Sequence, residues 1–173
     1  MVYLAADCNF FQSDQRDKKL IHNWNKIVTD LDTVVSLGNF FSDIKSVDIA
    51  RARDLLYELN GHIEIADYEN FMDLISKNQL NEIGFLHVYT AHLYMPDSDY
   101  TVHIIPTTDC LEHFKGNFYG AAARSLTGNT KAYENNILSL TVDDWDMTPI
   151  EYMELPNLVK NLKKFYEGGG IVG

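Results

Sequence analysis

The hydrophobic pattern is clearest at Thr33–Phe41 (TVVSLGNFF), a short β-branched apolar run that empties into Gly38 and Asn39. Such a run, bounded by turn chemistry, predicts a strand buried on both faces, as in a parallel sheet. Met1–Asn9 (MVYLAADCN) repeats the design, with Asp7 and Asn9 at its exit. Between the two, Leu20, Ile21, Trp24, Ile27, Val28 and Leu31 recur at three and four, the period of a helix covering a sheet, and Asp30–Asp32 is the turn that follows. A second helix opens at Ser46–Ile49, carries the stripe Ile49, Ala52, Leu55, Leu56 and Leu59, and stops at Asn60 and Gly61. His62–Ala66 (HIEIA) is a third strand, with a brief helix over Tyr68–Ser76 at its exit. The order β-α-β-α-β implies a right-handed, parallel start to the sheet.

From Gly84 the period changes to two. Gly84–Met95 and Tyr100–Pro106 are expected to form a hairpin around Pro96–Asp99. A turn centred on Asp97 and Ser98 sets His92 opposite His103. Asn117–Gly120 is predicted as a short strand, Ala121–Asn136 as a loop, and Ile137–Val142 as a further strand. Leu155–Tyr166 is predicted as a closing helix with Pro156 in its first turn. The chain divides into one domain, residues 1–167, and a flexible glycine-rich tail, residues 168–173.

Composition narrows the function classes. The 173 residues suffice for one domain with a real core, and the net charge of −11 comes without any Lys/Arg block, which argues against direct nucleic-acid binding. No apolar run approaches the roughly 20 residues of a membrane span, so a soluble cytoplasmic protein is expected. Cys8 and Cys110 are too few for a disulfide framework.

The order of strings resembles the small calcineurin-like metallophosphoesterases: Tyr3–Asn9, where that family has a strand ending Asp-x-His; Asn23, Trp24 and Asn25 in the first helix; and Asp32–Val34 leading to its Gly-Asp strand. Leu59, Asn60 and Gly61 precede its Gly-Asn-His-Asp strand, and Thr141–Ile150 (TVDDWDMTPI) is similar to its closing strand and Pro turn. The resemblance implies an α/β fold, a sandwich of two mixed β-sheets flanked by helices with a two-metal centre at the strand exits. The family's ligand set is broken here. Asp-x-His reads Asp7, Cys8, Asn9; the bridging Asp is Asn39; Gly-Asn-His-Asp reads Ala66, Asp67, Tyr68, Glu69. A later strand-end His falls on Pro106, and Gly-His-x-His reads Gly120, Ala121, Ala122, Ala123. The vestigial active-site positions are therefore Asp7, Asn9, Asn39, Asp67, Tyr68, Pro106, Ala121 and Ala123, with no catalytic residue and no cofactor.

Two divalent ions held close together need anionic bridging that this set no longer supplies. The expectation is a catalytically inactive pseudoenzyme serving as a protein-interaction or binding module, with an unidentified protein partner or a homodimer and with the former active-site face as its contact surface. The alternative is a residual phosphodiesterase or phosphatase holding a single weak metal on Asp7, Asn39 and Asp67, or a nucleotide-binding domain without turnover. Other candidates have commoner explanations. His92 and His103, joined by His87 or His113, could begin a zinc site but more often form a cross-strand polar pair. Cys8 is expected to be a buried small residue rather than a nucleophile. The adjacent Glu112 and His113 carry no geometry, and Asp143, Asp144 and Asp146 read as a solvated turn.

Overall fold

A computed structural model describes residues 1–37, 39–43, 46–66, 77–85, 88–89, 93–96, 101–105, 119–122, 133–134 and 137–167. In chain order these form β1 (Val2–Ala6), α1 (Asp14–Ile27), β2 (Thr33–Leu37), α2 (Ile49–Glu58), β3 (His62–Ala66), α3 (Lys77–Ile83), β4 (Val88–Tyr89), β5 (Leu93–Pro96), β6 (Thr101–Ile105), β7 (Tyr119–Ala122), β8 (Tyr133–Glu134), β9 (Ile137–Ser139), β10 (Ile150–Glu151) and α4 (Leu155–Glu167). Short 3₁₀ turns cover Val142–Trp145 and Tyr152–Glu154. The fold is α/β. Among the described residues the strands make two mixed sheets, ordered β10-β1-β2-β3-β4 and β5-β6-β7-β9-β8.

The first half follows the hydrophobic pattern. β1, β2, β3 and β4 are parallel, with Leu4 beside Val35 and Val34 beside Ile63. Every residue of β1 after Val2 and of β2 after Thr33 is buried, as strands covered on both faces require. One face packs Tyr3, Ala5, Val34, Ile63 and Ile65 against Leu20, Trp24, Ala52, Leu55 and Ile83 of the helices. The other packs Leu4, Ala6, Val35, Leu37 and Ala66 against Leu138 of β9 and Leu155 and Val159 of α4. This second contact joins the two sheets in one core.

Caps and staples account for the helix ends. The Ser13 side chain accepts from Arg16 N–H at the start of α1, and the Asp48 side chain accepts from Arg51 N–H at the start of α2. The end of α1 is tied to the end of α2: Trp24 Nε1 donates to the Asn60 carbonyl at 3.0 Å, Asn60 N donates to Asn25 Oδ1 at 2.8 Å, and Asn25 Nδ2 donates to the Glu58 carbonyl at 2.7 Å. The Asn23-Trp24-Asn25 and Asn60-Gly61 strings are thus fasteners between helices. Gly61, at φ +92°, carries a side chain only with strain, since a Cβ there would lie 2.9 Å from Val28 Cγ1 and 3.2 Å from the Asp32 carbonyl oxygen.

The second half departs from the expected hairpin. Gly84 is the positive-φ residue that ends α3, an element that the sequence pattern left unassigned between Ser76 and Gly84. The segment expected as one strand, Gly84–Met95, is divided between β4 in the first sheet and β5 in the second. β5 and β6 do pair antiparallel, but Pro96 sits opposite Thr101 and Tyr94 opposite His103, so the expected His92–His103 pair is replaced by Tyr94–His103. The turn is centred one residue later than its composition suggested, and a shift of that size changes every partner. Leu31, placed by its spacing in the helical stripe, is 90% exposed in the turn before β2, because α1 ends at Ile27. Ala121, expected in a loop, lies in β7, paired with Ile104 on one side and Leu138 on the other. The expected strand Ile137–Val142 ends at Ser139, and Val142 opens a 3₁₀ turn. The expected helix at Tyr68–Ser76, His92, Asp67, Tyr68, Pro106, Glu112, His113, Ala123 and the tail 168–173 lie outside the described residues.

Candidate functional site: the exits of β1 and β2

The parallel register of β1 and β2 brings Asp7, Asn9 and Asn39 to one rim, as the strand order predicted. Asp7 N donates to the Leu37 carbonyl and Asn9 N to the Asn39 carbonyl, both at 3.0 Å, so the two chains run on side by side past the strand ends. Phe10 N donates to the Phe40 carbonyl at 2.9 Å, and Ser42 N to the Phe10 carbonyl at 2.8 Å.

The loop after β1 is conformationally costly. Asp7, Asn9 and Phe11 have φ of +47°, +48° and +72°. Asp and Asn tolerate that region through local hydrogen bonds, whereas for Phe it is an outlier. The surroundings hold these angles in place. Asp7 is buried, and its Oδ1 accepts from Asn39 N at 3.0 Å. The Asn9 side chain turns back and donates to the Asp7 carbonyl at 2.9 Å. Phe11 N donates to Asp17 Oδ2 at 2.9 Å, and its ring stacks on Phe41 with centroids 5.4 Å apart.

A cation completes the arrangement. Arg16 donates one guanidinium nitrogen to the Cys8 carbonyl and the other to Asp143 Oδ2, the latter at 3.0 Å. Its side chain is only 12% exposed. Neighbouring contacts fasten the 3₁₀ turn of Val142–Trp145 to α1 and β9. Lys19 pairs with Asp146 at 2.7 Å, Asn23 Nδ2 donates to the Asp146 carbonyl at 2.7 Å, the Ser139 hydroxyl donates to Asp144, and Trp145 Nε1 donates to the Ser139 carbonyl. Lys19 holds the Asp146 carboxyl below the usual carboxylate range. The acids expected to form a solvated turn are therefore fastening groups as well.

Neither Arg16 nor Asp17 stood out in the sequence. One signal for Arg16 was present, because a cation in the first turn of a helix opposes the helix dipole and so implies a partner of its own.

Chemically, this rim is equipped to hold a loop. Cys8 is fully buried, and burial pushes its thiol up to about 12, outweighing the opposing effects of the Ser36 hydroxyl and Arg16. The Ser36 hydroxyl lies beside the sulfur without making a hydrogen bond of normal geometry. A thiol so placed is not a nucleophile. Among the described residues no group of three or more His, Cys, Asp or Glu side chains is arranged to hold a metal ion. The large apolar rim residues Phe10, Phe40 and Phe41 are buried, while exposed Met1, Val2, Leu31 and Met153 lie at the opposite, amino-terminal end of β1 and β2.

No family model matches the chain. An uncharacterized protein of Methanocaldococcus jannaschii is 31% identical to it over 100 residues, 56% of this chain and 53% of that protein. The chain thus spans about half the length of the curated relative it matches. A crystal structure of a protein of unknown function from Aquifex aeolicus superposes with a TM-score of 0.60 at 16% identity, covering 91% of this chain and 98% of that one. The likeness at that identity is one of fold. No helix among the described residues is long and apolar enough to cross a membrane.

Proposed function

We propose that this chain is a metallophosphoesterase-like two-sheet sandwich without the two-metal centre, working in the cytoplasm as a protein-interaction module. The observation that carries the reading is the use made of Asp7, the one family ligand retained by identity: its carboxylate caps the Asn39 N–H, inside a loop held by Arg16. A guanidinium on the Cys8 carbonyl supplies positive charge from within the chain where the family's strand exit collects metal ions. The buried, unpaired thiol of Cys8 suits a reducing compartment. With a net charge of −11, the partner most favoured by electrostatics presents a basic face.

Elemental analysis of purified protein, together with hydrolysis of an aryl phosphodiester in Mn²⁺, tests the loss of the metal centre. No stoichiometric Mn, Zn, Ni or Fe and no turnover are expected. Bound metal with turnover abolished by Asp7→Ala would reverse the reading, and a nucleotide that raises the melting temperature would favour a binding domain without turnover. A homodimer is tested by light scattering of the wild type and of Leu31→Asp, which places a charge at the exposed apolar end of the sheet. Dissociation of a wild-type dimer by that change supports self-association through that end.

A further inference from the structure

Beside the exit loop of β1, α1 and α2 border an open cleft of about 190 Å³ lined by Phe11, Asp14, Asp17, Arg51, Asp54 and Glu58. Asp17 is only 8% exposed. Its Oδ2 is engaged by Phe11 N–H, but its buried Oδ1 has no hydrogen-bond partner. A buried carboxylate oxygen without a donor is costly, and such groups in folded proteins ordinarily have a partner. Burial raises the Asp17 carboxyl above the usual carboxylate range, against the lowering effects of Phe11 N–H, Arg16 and Arg51.

The wall already accommodates one cation. The Arg51 guanidinium lies 4.2 Å from the Phe11 ring centroid, a cation–π contact. It is loosely held: its contact with Asp14 is 4.0 Å long, and its side chain is 58% exposed. Four carboxylates, Asp14, Asp17, Asp54 and Glu58, face two cations, Lys18 and Arg51, leaving the cleft net negative. Its volume lies below the about 300–1,000 Å³ of pockets for drug-sized ligands and suits a single amine-bearing group.

We infer that this cleft binds an organic cation bearing N–H donors, a primary ammonium or a guanidinium, which donates to Asp17 Oδ1 while Arg51 swings outward from Phe11. The inference needs neither presence nor absence of metal at Asp7, although Phe11 belongs to the same loop. The same chemistry is offered by a free polyamine and by a Lys or Arg side chain of a basic partner.

The test is a titration of the full chain with n-butylammonium, read by thermal shift and calorimetry at constant ionic strength, with tetramethylammonium as the cation that lacks N–H donors. The wild type is expected to respond to butylammonium and not to tetramethylammonium. Asp17→Asn, which keeps an acceptor for Phe11 N–H, is expected to weaken binding about 10- to 100-fold, the loss of one charged hydrogen bond. Arg51→Ala removes the internal competitor, leaves Asp17 untouched and is expected to tighten binding. Equal responses to the two cations, no response from the wild type, or undiminished binding by folded Asp17→Asn would overturn the inference. If Asp17→Asn does not fold, tighter binding by Arg51→Ala upholds it and equal or weaker binding overturns it. Spermidine binding more tightly than blocked lysine and arginine amides identifies a free polyamine as the ligand; the reverse order identifies a protein side chain.

Discussion

Replacing Asp7 separates a capping role from a ligand role. In Asp7→Ala the Asn39 N–H loses its acceptor, which now lies 3.0 Å away, and alanine must occupy φ +47°. Loss of a hydrogen bond to a charged group costs about 1.5–3 kcal/mol, and the left-handed conformation adds about 1 kcal/mol for a residue with no side-chain hydrogen bond to offset it. Together these give about 2.5–4 kcal/mol, or roughly 5–16 °C in melting temperature for a chain of this length. Asp7→Asn keeps an acceptor oxygen and tolerates the same φ, so it should lie within about 1 kcal/mol of the wild type. The measurement is urea denaturation of the three proteins, each with and without EDTA. A metal ligand would behave differently: asparagine would then fall as far as alanine, and EDTA would lower the wild type toward both. That pattern, or an alanine variant within about 0.5 kcal/mol of the wild type, would refute the capping role.

Other outcomes follow from single groups. Gly61→Ala should destabilise by about 2–4 kcal/mol in denaturant titration, since it combines φ +92° with a Cβ 2.9 Å from Val28 Cγ1; a loss below about 1 kcal/mol would mean that the Val28 turn yields freely. Cys8, buried with its thiol pushed up to about 12, should resist iodoacetamide at neutral pH until the protein unfolds, as read by peptide mapping. Modification of Cys8 in the native state at the rate of a free thiol would contradict this burial. The Asp32 carboxyl is lowered to about 2 by the Met1 ammonium and then by the Thr29 N–H and hydroxyl. Its contribution to stability is therefore complete above the ordinary carboxylate range and lost as pH falls from about 4 toward about 2. Asp32→Asn should flatten that part of the acid-stability profile, and an unchanged profile would remove Asp32 from the account.

The likeness in fold to the Aquifex aeolicus protein extends over nearly the whole chain, whereas the match to the Methanocaldococcus jannaschii protein covers little more than half of it. Since both are themselves uncharacterized, function here is argued from the strand exits and the cleft between α1 and α2. The two sites ask separate questions. At Asp7 the question is whether the rim holds metal or only its own loop. At Asp17 it is what donor meets a carboxylate oxygen that the chain leaves without one.

By itself the sequence determined the first half of the molecule: three apolar strands, two helices with the second stopping by Asn60 and Gly61, and the meeting of Asp7, Asn9 and Asn39 at one rim. Those features are local, because a period of 3.6, a doubly buried strand and a cap are each written within a dozen neighbouring residues. Only the tertiary structure decided how Gly84–Met95 is shared between two sheets, that Tyr94 rather than His92 faces His103, and that Ala121 lies between β6 and β9. Strand pairing joins residues distant along the chain, and the glycine and alanine around position 121 carry too little pattern to announce their partners. The grip of Arg16 on the Cys8 carbonyl and the unpartnered oxygen of Asp17 belong to the same class. Each depends on how a helix meets the exit of a strand, a geometry fixed by packing and by backbone angles that no residue alphabet displays.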